Sequence, residues 1–127
     1  MAVVAAITRW PVLLLYNVDP SWPPDQVVEA ERLTAELAAA LTAEGHAVTP
    51  VGVRDGNLAA CLASYDPRHY VVLNWCEELP GVPRSDVTVA EVLEAAGYCY
   101  TGPTPPALAL SWDKPRVKRL LVRRRLP

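Results

Sequence analysis

The sequence predicts an α/β domain: a three-layer αβα arrangement around a mostly parallel sheet of four strands in the order 2-1-3-4. Three observations carry that expectation. "VLLLYN" at 12–17 is a short, continuous apolar run, as expected of a strand buried on both faces of a parallel sheet. The stretch after it changes to a helical period, and strand-like and helix-like runs then alternate to residue 102. Such alternation needs crossover connections, and right-handed crossovers stack helices on both faces of the sheet.

The elements follow in order. Asp19 and Pro20 end the first strand. From Pro24 to Glu44, Leu33, Leu37 and Leu41 form one apolar stripe with Ala30 beside it, and Glu29, Glu31, Arg32, Glu36 and Glu44 occupy the other sides. Pro23 and Pro24 suit a first helical turn, Asp25 favours the positive end of the helix dipole, and Gly45 suits the stop. "HAVTPVGV" (46–53) is the second strand, placed at an edge because Pro50 cannot donate to a ladder. A short helix over 56–65 leads to the third strand, "HYVVLNW" (69–75). After a Pro- and Gly-rich loop, 85–97 reads as a helix with Ser85 or Asp86 as N-cap, Val89, Val92 and Leu93 as its stripe, and Gly97 as its stop. "YCYTG" (98–102) is the fourth strand.

Composition bounds the function. With 127 residues and 51% apolar content, the chain has one domain's length and ample core material. Apolar runs such as "AVVAAI" fall well short of the roughly 18 residues that cross a bilayer, and Arg9 and Pro11 follow that run rather than precede it as in a secretory signal. A cytoplasmic protein with no membrane partner is expected. Charge is unevenly divided: from Lys114 onward there are seven cations and no acid, leaving five cations against fourteen acids before it, a formal +7 after −9. Single-stranded nucleic acid would want aromatics among those cations to stack bases on, and the basic stretch has none, so no nucleic-acid partner is expected. Three cysteines, Cys61, Cys76 and Cys99, fit no metal spacing and read as buried, reduced thiols.

Two loops stand out, "NVDPSWPPD" after strand one and "NWCEELPGVPRS" after strand three. Open α/β sheets bind ligands beyond the carboxyl ends of strands where the winding reverses, and in a 2-1-3-4 order strands one and three meet there. That nominates Asn17, Asp19, Asn74, Glu77 and Glu78; the plainer reading is turn-starting amides and solvated acids. Neither G-x-G-x-x-G nor G-x-x-x-x-G-K-[ST] occurs, which removes the dinucleotide and phosphate-loop fingerprints. A receiver-type phosphoacceptor would end strand three on an aspartate, and this strand ends at Asn74.

The segment "SDVTVAEVLEAAGYCYTGPTPPALALSWDKPRVKRLL" (85–121) resembles D-alanine:D-alanine ligases and related ATP-grasp ligases. There, a helix with a leading acid is followed by a Y-T-G turn, an Ala/Leu-rich helix, D-K and a basic helix. "LNWCEELPG" is similar to the third-strand end of a ligase-like branch, and "VVEAERLTAELAAALTAEGHAVTPV" to the first helix and second strand, so the likeness spans 12–127. It implies the Rossmann-like, pre-ATP-grasp amino-terminal domain of a ligase of peptidoglycan precursor synthesis. ATP and Mg2+ would serve the full-length enzyme, with none held tightly by this chain. Partners would be the central and carboxyl-terminal ATP-grasp domains, a small amino-acid or peptide substrate, and a second copy in a homodimer.

By position, the resemblance makes Lys114 the lysine that contacts ATP phosphates. Tyr100, Thr101 and Gly102 become the turn that shapes the substrate-side wall, and Glu77 stands where better-known ligases place a histidine. Asp25 and Gln26 lie near the place of the glutamate that holds the amine of D-alanine in the well-studied ligases, but that glutamate and its Gly-Gly loop are replaced by "YNVDPSWPPDQ", so the substrate stays open. The expected organisation is an extension over 1–11, a substrate-side domain over 12–112, and a basic helix and linker over 113–127 that faces the ATP-grasp domain. The catalytic groups would lie outside this chain. The other reading is a noncatalytic binding or dimerisation module, with Trp10, Trp22, Trp75 and Trp112 on exposed faces.

Overall fold

The computed structural model describes residues 9–127. In order, the elements are β1 (Val12–Asn17), α1 (Pro24–Ala43), β2 (Val48–Val53), α2 (Leu58–Leu62), β3 (Val71–Trp75), α3 (Asp86–Ala95), β4 (Cys99–Tyr100), α4 (Pro105–Trp112) and α5 (Lys114–Arg123). The four strands form one sheet in the order β2-β1-β3-β4, and every pairing is parallel. The α/β architecture and its winding are therefore those the sequence predicts. Of the expected extension over 1–11, residues 1–8 lie outside the described residues; Pro11 already accepts a hydrogen bond at its carbonyl from the Val71 amide.

Register explains the edge position of β2. Ala47 and Val53 accept at their carbonyls from Val12 and Val18, so odd-numbered residues of β2 point their backbone groups at β1 and even-numbered ones point outward. Pro50, lacking a donor, sits at an even position where no ladder bond is lost.

Alternate residues divide the core. Leu13, Leu15, Val51, Val53 and Val72 face α2 and α3, where they meet Leu58, Leu62, Val89 and Leu93 in one dry cluster. Helix α1 covers the opposite face over β1 and β2. Its stripe is less buried than its period predicts: Leu33 stays 39% exposed, Leu37 and Leu41 are half-buried, and Thr34 is the buried position, bonding back to the Ala30 carbonyl. Strands about 4.8 Å apart make a four-strand sheet about 19 Å wide, and a helix about 10 Å across covers half of that. Among the described residues no helix comparable to α3 lies over β3 and β4 on this face, where Trp75 is 37% exposed and Cys99 is exposed. Cys99 thus departs from the buried thiol expected of it, while Cys76 is buried and Cys61 half-buried.

Several boundaries are tighter than expected. Helix α2 keeps five residues of the run 56–65, with Asn57 capping it by accepting from the Ala60 amide. Strand β4 keeps two residues, since Thr101 makes one further backbone bond to Val72 and the chain then turns at Gly102. Gly45 and Gly97 end α1 and α3 with φ of 89° and 81°, the left-handed conformation in which His46 and Tyr98 donate back to Leu41 and Leu93. Ser85 occupies the N-cap position of α3 but makes no cap bond; its hydroxyl accepts from Leu79 and donates to Val82, both at 2.6 Å, closing the 79–85 loop.

Candidate functional site

The parallel register brings the tips of β1 and β3 side by side, Tyr16 opposite Trp75. Asn17 follows directly, and its side-chain oxygen accepts from the Glu77 amide at 3.0 Å. Asn74 does a similar service from below: its side-chain oxygen accepts from the Cys76 amide, and its own amide donates to the Thr101 hydroxyl. These two amides therefore act as braces that fix the turn after β3. The braced turn carries Glu77 outward, and its carboxylate has no hydrogen bond or ion pair among the described residues.

Around this point opens a cleft of about 470 Å³, within the size range of small-ligand sites. Asn17, Trp22, Glu77 and Glu78 line it from the two loops. Arg84 and Asp86 line it from the start of α3, and Trp112 from the end of α4. Asp86 accepts from the Trp112 indole nitrogen at 3.0 Å, and the Arg84 guanidinium lies over the Trp112 ring, 5.0 Å from its centroid. Arg84 has φ of 58°, a left-handed backbone that is uncommon outside glycine; its amide donates to the Glu78 carboxylate, which supports the turn. A smaller recess of about 160 Å³ adjoins the cleft through Asn17, Trp22 and Glu77 and runs under α1 toward Thr34.

The other nominated residues are distributed around this centre. Asp19 is absorbed by its own loop: the Ser21 hydroxyl, then the Ser21 amide, bonds its carboxylate and holds it below the ordinary carboxylate value. Asp25 and Gln26 border a separate shallow groove on α1 that shares Trp22 with the cleft. Tyr100 points its hydroxyl at Glu94 within the fold, and burial, with help from that acid, raises its pKa above the ordinary value. Thr101 and Gly102 are exposed beyond β4 and do not line the cleft, Thr101 serving instead as the partner of Asn74. Lys114 is exposed at the first position of α5, two residues after Trp112, where Asp113 caps the helix by accepting from Arg116.

Sequence reasoning missed Trp22, Arg84, Asp86 and Trp112 as members of one cleft. Asp86 was legible as a helix start, but its bond to an indole 26 residues away was not. A second concavity of about 470 Å³ lies along α5 between Pro115 and Arg123, and among the described residues only this helix lines it. Cys76, the most buried thiol, is unsuited to nucleophilic work: burial pushes it up to about 12, and its sulfur rests 3.6 Å from the Glu78 carbonyl. Among the described residues no three His, Cys, Asp or Glu side chains converge as a metal site, and no helix is long and apolar enough to cross a membrane. The chain matches no family model, no curated protein and no solved structure.

Proposed function

We propose that this chain is the substrate-side, amino-terminal domain of an ATP-dependent carboxylate–amine ligase of the D-alanine:D-alanine ligase type, and that it is not catalytically competent alone. The observation that carries this reading is the junction at residues 112–114. Trp112 lines the cleft at the strand tips, and Lys114 opens a basic helix two residues later. A cleft that holds an amine substrate and a lysine suited to phosphate oxygens would then lie next to each other, as acyl-phosphate chemistry requires.

Helix α5 supports the same reading. It packs on α4, yet Leu120, Leu121 and Val122 remain 38%, 37% and 68% exposed. Its cations have no acid among them to pair with. A helix that carries exposed apolar side chains and a surplus of positive charge is suited to an interface, and in this reading an ATP-grasp domain with its nucleotide supplies the other half. In this reading ATP and Mg2+ belong to that neighbouring domain, and this chain contributes Lys114.

The test is the reading frame beyond Pro127. A glycine-rich phosphate loop and paired metal-binding carboxylates are expected there; a stop codon or an unrelated domain overturns the proposal. In the longer protein, ATP titration of Lys114→Ala should show affinity weakened about tenfold, the scale of one lost charge-assisted contact. A second reading, a noncatalytic homodimerisation module, is favoured by Val28, Leu33 and Trp75 on the α1 side, which are 65%, 39% and 37% exposed. Light scattering decides it, since a strictly monomeric chain at high concentration removes that reading.

A further inference from the structure

We propose that the recess between α1 and the sheet is an aromatic cage for a methylated ammonium group. It is a site of its own, separate from the larger cleft and independent of the ligase reading. Its volume of about 160 Å³ admits a compact group of about five non-hydrogen atoms. Of the chain's four tryptophans and five tyrosines, Trp22, Trp75 and Tyr16 line it. The fold holds these rings apart instead of stacking them. Tyr16 and Trp75 are register partners on β1 and β3, so their side chains leave the same face of the sheet. Tyr16 leans the other way, toward β2: its hydroxyl oxygen is 3.0 Å from where a Cβ on its partner Gly52 would stand, so the missing side chain at Gly52 gives the ring its place. Trp22 comes from the loop between β1 and α1, and Ala30 and Thr34 of α1 complete the recess with small side chains.

Among the described residues these three rings neither pair with one another nor carry a cation; the aromatic pair is Tyr65 with Tyr70, and the cation over a ring is Arg84 on Trp112. Ring faces carry negative partial charge, so three of them around one small recess favour a cation that tolerates apolar walls. The polar groups narrow the choice further. The Thr34 hydroxyl is already bonded to the Ala30 carbonyl and the Asn17 side-chain oxygen to the Glu77 amide, and among the described residues no Lys or Arg lines the recess. An anion would find no positive side chain there. A primary ammonium would bring three N–H donors to a lining with few acceptors left, whereas a quaternary ammonium has none to satisfy. Glu77 is the one charged side chain of the lining, so it adds attraction of the right sign to a preference that the rings set.

The experiment uses the chain as it is, with tryptophan fluorescence and calorimetry at fixed ionic strength. Choline and 3,3-dimethylbutan-1-ol are the probes, nearly equal in shape and different by one charge. Choline is expected to bind about tenfold more tightly, and Trp75→Leu, at a partly exposed position whose loss spares the core, to remove most of that difference. Trp112→Leu, which alters the larger cleft and not the recess, should leave the difference intact. Glu77→Gln should weaken choline about threefold while the preference over the neutral probe persists. Equal affinity for the two probes, or no binding of choline, overturns the proposal. So does a preference that survives Trp75→Leu or vanishes with Glu77→Gln, since either result takes recognition away from the rings. The ligase reading stands or falls separately, on the residues beyond Pro127.

Discussion

The two faces of the sheet are built from alternate residues of the same strands, yet they differ in how they are finished. Under α2 and α3, Leu13, Leu15, Val72, Val89 and Leu93 are fully buried. Under α1 the same strands end in a half-covered surface, with Leu73 half-buried and Trp75 exposed, and the helix itself keeps Leu33 and Val28 in contact with solvent. Two helices span a sheet of this width and one does not. The lesson is a difference in closure: among the described residues the α2/α3 face is a closed core, whereas the α1 face buries Val12 and Leu14 but leaves Trp75 only partly covered.

Paired truncations break or sharpen that contrast most strongly. Leu93→Ala is expected to cost about 3 kcal/mol, because it empties a packed site with no room to relax, whereas Leu33→Ala should cost about 1 kcal/mol or less. Urea denaturation of both variants is the measurement, and equal losses would abolish the distinction. Ser85→Ala comes next. Its hydroxyl is buried and joins the Leu79 amide to the Val82 carbonyl, so removal strands both and should cost about 2 kcal/mol, read as a lower unfolding midpoint.

Thiol chemistry maps the same contrast. Cys99, exposed on the open side, should react with a thiol reagent at the rate of a free peptide, while Cys76 should react only as fast as the protein unfolds. The pH dependence has a definite sign. Burial raises the Cys76 thiol from an ordinary 9.0 to about 12, so the unfolded chain loses that proton first. Stability from this group is complete below pH 9 and declines as pH rises from 9 toward 12. A Cys76→Ala variant compared with the parent across that window should lack this part of the decline.

The smallest effect belongs to the tail. Asp113→Ala removes the cap on the Arg116 amide and should destabilise α5 by about 1 kcal/mol. Because α4 is the element that α5 contacts among the described residues, the loss should appear as faster amide exchange within α5, with the global unfolding midpoint unchanged. A matching drop in global stability would instead make α5 part of the core.

The strand and helix types, the parallel winding and the edge position of β2 were all legible in the chain. They rest on local period and punctuation: "VLLLYN" for a two-faced strand, Gly45 and Gly97 for helix ends, and Pro50 for an edge. Within the site, Asn17 and Glu77 were legible from topology alone, because strand tips at a winding reversal must meet. Tertiary packing decided the rest. Whether α1 covers one half of its face or all of it depends on the width of a helix against the sheet, which no sequence period encodes. The meeting of Glu77, Arg84, Asp86 and Trp112 depends on how α3 and α4 stack, and contacts between residues far apart in the chain leave no mark on the local spacing of either partner.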